Sequence, residues 1–225
     1  MRRAVYRAAL LVLGLATIAL GGCGGGGKTK AHQAMQGLER EDLAAVAHAL
    51  SKTAAPIRAE VAATKAAWPL VVNGLPADPS TIPRPPIEAA AASAARLRTP
   101  TLLEEPAATA IAGPAAGLAA EVRNFIVLAN SGWRMIGAAI DQIEHGPPTA
   151  ARFARANVNL YITTVYDAHF GLAQIGKQLL AAYNKLGGPA AFGASLTQQE
   201  VDALAQTYSE PSDRLHPHTG VRVGS

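Results

Sequence analysis

The sequence predicts an all-α protein: an antiparallel helical bundle with one long helix hairpin, preceded by a proline-rich crossover. Three observations carry that prediction. Apolar residues recur at steps of three and four over two long stretches, 114–145 and 149–186. Glycine and proline clusters bound both stretches. No segment alternates apolar and polar residues at period two, as a half-buried strand would.

The first long helix is expected to open at Gly113-Pro114, with proline in the first turn, where a missing N–H costs least. Its seam is Leu118, Val122, Phe125, Ala129, Gly132, Ile136, Ala139 and Ile143. Gly146 supplies a stop, followed by Pro147-Pro148. The second helix begins at Thr149 with the seam Val158, Ile162, Val165, His169, Leu172, Gly176, Leu179, Tyr183 and Leu186. A second track of Ala154, Tyr161, Ala168, Ile175 and Ala182 widens this face beyond a narrow coiled-coil stripe. So short a connection makes the two helices antiparallel neighbours.

Upstream, Leu43, Val46, Leu50, Ile57, Val61 and Trp68 share one helical face, interrupted by Pro56, which implies one kinked helix or two. The acidic run Glu39 to Asp42 fits a helix start near Gly37 or a solvated face. Pro69, Pro76, Pro79, Pro83, Pro85 and Pro86 make 69–86 an extended crossover, because proline is excluded from helix interiors and central strands. Residues 87–98 are read as an Ala-rich helix. Thr197-Gln198-Gln199-Glu200 is a capping box that starts a short helix to about Tyr208, and 209–225 is expected to be a flexible tail.

Composition narrows function. Alanine accounts for 49 of the 225 residues, so much of the apolar content buries little area per side chain. The chain has 20 basic and 16 acidic residues, but Arg2, Arg3 and Arg7 belong to the extreme amino terminus. Without them the balance is 17 to 16, and no clustered basic surface of the kind nucleic acid requires is visible. One cysteine, Cys23, excludes an intrachain disulfide and a cysteine-based zinc site.

That cysteine closes a distinctive pattern. A basic start precedes a largely apolar stretch of 13 residues, Ala8 to Leu20, the length of a signal-peptide core and short for a membrane span. Leu20-Gly21-Gly22-Cys23 follows. This segment resembles the lipobox of bacterial lipoproteins, over the first 23 residues only. The resemblance implies removal of 1–22 as a signal peptide, diacylglyceryl transfer to the Cys23 thiol and acylation of the new amino terminus with a palmitate-type chain. It implies a protein held at the cell membrane, facing the periplasm or the exterior. Gly24 to Lys30 then reads as a glycine-rich tether to one domain spanning 31–208.

Within that domain no phosphate loop, nucleophile elbow or zinc-protease helix occurs. The di-iron pattern of helical bundles needs Glu-x-x-His pairs, and none is present. Asp141 and Glu144 stand three apart on one helix, Asp167 and His169 on the next. Pivoting the hairpin about 146–148 sets His169 opposite Phe125 and about 24 Å along the axis from Asp141, too far to share a metal. His216 and His218 form a weak pair in the tail, and Trp68 and Trp133 read as packing residues.

His169 interrupts an apolar seam. A structural role requires a hydrogen-bond partner, expected on a third helix because Asp167, two residues away, faces elsewhere. Burial is expected to lower its pKa, and His169→Leu to leave the fold intact. The other role is as a ligand-binding or proton-linked residue. The sequence therefore predicts a membrane-anchored, non-catalytic binding or scaffolding module of the cell envelope, without cofactor, metal or nucleic acid. Its partners are membrane lipid through Cys23 and another envelope protein. The alternative is a bundle that carries a small apolar or metal-containing ligand in a cavity beside His169.

Overall fold

The computed structural model describes the backbone of residues 25–215 and the side chains of 31–208. Seven α-helices are present and no strand occurs among the described residues: α1 Gly25–Asn73, α2 Arg84–Ala94, α3 Glu105–Ala108, α4 Pro114–His145, α5 Pro148–Lys185, α6 Gly188–Phe192 and α7 Gln198–Leu215. The most extensive packing is between α4 and α5, the predicted antiparallel hairpin. Helix α7 lies on α5, α2 lies on α1, and α1 contacts both arms of the hairpin.

The hairpin forms because its seam is apolar at every turn but that of His169. All eight seam positions of α4 are buried, as are those of α5 from Val158 to Tyr183, His169 included. Small residues set the spacing between the arms. A Cβ added at Gly132 would sit 2.7 Å from Val165 Cγ2, so glycine is what allows α4 to approach α5 this closely. At the start of α4, Gly113 has φ 60°, a conformation that favours glycine, and an added Cβ would meet the Glu39 side chain at 2.7 Å.

Helix α1 departs from expectation in three ways. It is one helix at Pro56, one of the two alternatives, but it also runs through Pro69, where the crossover was expected to begin, with 49 residues and a length of about 73 Å at helical rise. Both prolines are exposed, as are Lys52 and Lys65, whose carbonyls lose their helical donors, so water can satisfy those groups. The acidic run 39–42 is therefore mid-helix and does not start α1. Asp42 is buried and its Oδ2 accepts the Ala112 N–H at 2.9 Å, tying the loop before α4 to α1. Finally, helical backbone begins at Gly25, within the expected tether. Extending an existing helix closes one hydrogen bond per residue and avoids the cost of nucleation.

The crossover is shorter than 69–86. Pro69 belongs to α1, and Pro85 and Pro86 occupy the first turn of α2, which tolerates missing N–H groups. The non-α-helical link runs over 74–83 and holds one 3-10 turn, Pro79–Thr81, capped by Asp78 through the Ser80 N–H at 2.9 Å. Helix α2 ends at Ala94, short of residue 98.

The capping box forms as predicted. Glu200 Oε2 accepts the Thr197 N–H at 2.8 Å and Thr197 Oγ1 accepts the Glu200 N–H at 3.3 Å. The Thr197 backbone and hydroxyl donors hold the Glu200 carboxyl below its ordinary pKa. Helix α7 then continues past Tyr208 to Leu215, into the segment expected to be a tail. Residues 1–24, with the signal-peptide pattern and Cys23, and 216–225, with His216 and His218, lie outside the described residues.

Candidate functional site

Helices α1, α4 and α5 meet at a line of buried polar groups. Ile57, Val61, Thr64 and Trp68 put one face of α1 against the hairpin, and Glu60 falls on the same face. Glu60, Thr64, Trp133 and His169 are all completely inaccessible to solvent. His169 Nε2 lies 3.0 Å from Glu60 Oε2, and its Nδ1 lies 2.9 Å from the Val165 carbonyl oxygen one turn back on α5. Thr64 Oγ1 donates to Glu60 Oε1 at 2.7 Å, and Trp133 Nε1 donates to Thr64 Oγ1 at 3.2 Å. Aromatic rings enclose the imidazole: Phe125 edge-on at 5.5 Å and Trp68 edge-on at 6.1 Å, with Tyr166 stacked on Trp68.

The protons can be assigned from the partners. A carbonyl only accepts, so Nδ1 carries a hydrogen. Burial pushes the imidazole pKa down, but the Glu60 charge, the Glu60 hydrogen bond and the Val165 carbonyl together outweigh it and raise the pKa above the ordinary histidine value. The expected lowering is thus corrected: a buried carboxylate was missing from that account. Below its raised pKa the ring carries both hydrogens and donates to both neighbours, and each polar atom of the line has a partner. No nitrogen of His169 is left open toward a ligand.

The partner comes from a third helix, 109 residues away in sequence, and Phe125 is opposite, as the hairpin pivot implies. Asp167 is exposed and does not take part. Neither do Asp141 and Glu144, which clasp Arg84 of α2 at the surface. Arg84 Nη1 donates to Asp141 Oδ1 at 2.8 Å, and its Nε and Nη2 donate to the two Glu144 oxygens. The hydrogen bonds from Arg84 hold the Glu144 carboxyl below its ordinary pKa. Trp133 is a core residue with its indole N–H used, and Trp68 packs between α1 and α5. Asn157 and Thr164, on the polar side of α5, bond back to carbonyls of their own helix.

Glu60 and Thr64 are the members that sequence reasoning did not find. Their signal was present: they stand three and seven residues after Ile57, on the apolar face of α1. Among the described residues, no group of three or more His, Cys, Asp or Glu is placed to hold a metal ion. Two surface clefts, one beside Arg123 and Glu105 and one beside Arg84 and Ile82, are lined by neither Glu60 nor His169.

The raised pKa fixes the sign of a pH dependence. A group whose folded pKa lies above its unfolded value contributes stability that is complete below about pH 6.5 and is lost as pH rises through the folded pKa. Glu60→Gln provides the control, because an amide can accept from Thr64 and donate to a neutral His169 Nε2. The urea midpoint of the wild type relative to Glu60→Gln should therefore be highest near pH 6 and decline toward alkaline pH. A relative midpoint that rises with pH would contradict the assignment.

Comparison with protein-family models, with curated proteins and with solved structures gives no match.

Proposed function

We propose that this chain is a lipid-anchored, extracytoplasmic protein that binds or scaffolds another component of the cell envelope, using its outer surface. The observation that carries the reading is the amino-terminal order of basic residues, a short apolar core and Leu20-Gly21-Gly22-Cys23, placed two residues before α1 begins. In this reading attachment rests on the acyl chains of Cys23, each buried methylene contributing about 0.8 kcal/mol. None of the described helices is long and apolar enough to cross a membrane. The carrier alternative is less well supported, because both nitrogens of His169 are already engaged and aromatic rings fill the space beside it.

The anchor is tested by growing cells with labelled fatty acid. Wild-type protein should incorporate label and lose residues 1–22; Cys23→Ala should remain an unlabelled precursor. Equal labelling of both would refute the anchor.

A further inference from the structure

The side of α5 turned away from the hairpin carries a second heptad series. Phe153, Leu160 and Asp167 repeat every seven residues, and Ala156, Thr163 and Phe170 fill the alternate positions three residues later. All six are exposed, and the large apolar members strongly so: Phe153 by 66%, Leu160 by 65% and Phe170 by 53%. Apolar residues at this spacing on an exposed helix face suit a two-helix contact.

We propose that this face of α5 pairs with the same face of a second copy of the chain, antiparallel about a twofold axis between Leu160 and Thr163. The charges select the occupant and its direction. In that register Phe153 packs against Phe170 of the second copy, twice by symmetry, and Leu160 packs against Thr163. Asp167 then lies about 16 Å along the axis from Asp167 of the second copy, and one turn, about 6 Å, from its Arg152, within reach of the long guanidinium side chain. A parallel pair would place the two Asp167 carboxylates directly opposite each other. Like charges in that position disfavour association, whereas the antiparallel pair makes two complementary contacts. The face is self-complementary, as a twofold contact must be. With three large apolar side chains per copy the interface is small, so the association is weak and reversible. The pairing is independent of whether Cys23 is lipidated.

Site-directed crosslinking in intact cells tests it, using two differently tagged full-length copies and a short thiol-specific crosslinker. A cell expressing Leu160→Cys with Thr163→Cys should give a mixed dimer band, whereas Ala156→Cys alone, about 16 Å along the axis from Ala156 of the second copy, should give none. Adding Phe153→Glu should abolish the band, since that residue is exposed and its replacement leaves the fold intact. Asp167→Arg should weaken it, and Arg152→Asp together with Asp167→Arg should restore it. A strong Ala156→Cys homodimer would show a parallel pair and overturn the proposal. So would the absence of crosslinking, or a mixed band indifferent to Phe153→Glu.

Discussion

Replacing His169 by leucine is expected to destabilise the bundle by about 3–5 kcal/mol, the cost of leaving a buried charge without its partner. The substitution adds no steric problem; its effect comes from Glu60, which is fully buried and keeps only the Thr64 hydroxyl as a donor. Against a domain stability of about 5–15 kcal/mol, this is a large fraction. The sequence alone suggested the opposite outcome, because it showed an imidazole in an apolar seam and no carboxylate beside it. Removing both partners separates the two accounts. The double variant Glu60→Leu/His169→Leu replaces an ion pair by apolar side chains, an exchange that ranges from neutral to stabilising by about 1–4 kcal/mol. Thr64 can then turn its hydroxyl to the carbonyl four residues back on α1. Urea denaturation of the three proteins should give midpoints in the order double variant at or above wild type, and His169→Leu far below both. Equal midpoints for His169→Leu and wild type would show that Glu60 does not depend on the imidazole.

Trp133→Ala should cost a similar amount, about 3–5 kcal/mol, by a different route. The indole is completely buried on α4 and reaches α1 through its N–H to Thr64. Truncation opens a void that helices already in close contact cannot collapse to fill, since Gly132 beside it has brought α4 against Val165. Trp133→Phe retains most of the ring volume and loses one hydrogen bond, worth about 1 kcal/mol. Thr64 still donates to Glu60 in that variant. Thermal or chemical unfolding should therefore rank Trp133→Ala well below Trp133→Phe. Similar losses for the two would mean that the hydrogen bond, and not packing, dominates at this position.

The hairpin was legible because its signal is redundant. Each turn of α4 and α5 repeats the same apolar step, and Gly113-Pro114, Gly146 to Pro148 and Gly187-Gly188-Pro189 punctuate both ends. Pro69 misled because its face was ignored. Pro56 and Pro69 are tolerated inside α1 because they and the carbonyls they orphan face solvent, a property of the helix face and not of the residue. Glu60 was hidden for a related reason. A carboxylate is seldom fully buried unless paired, and its partner lies 109 residues away on an element whose packing against α1 no local pattern encodes. The position of His169 opposite Phe125 was readable, because a short hairpin fixes its register, and a partner on a third helix was expected; which helix and which residue supply it was not legible.

The function proposed above lies on the outer surface of the bundle, and the buried Glu60–His169 pair holds α1 on the hairpin. Co-purification from detergent-solubilised native membranes tests this most directly, comparing wild type with Glu60→Gln and identifying captured proteins by mass spectrometry. The prediction is one set of envelope proteins, recovered at equal yield by both. A folded Glu60→Gln protein that loses those partners, or a wild type that captures none, would contradict it.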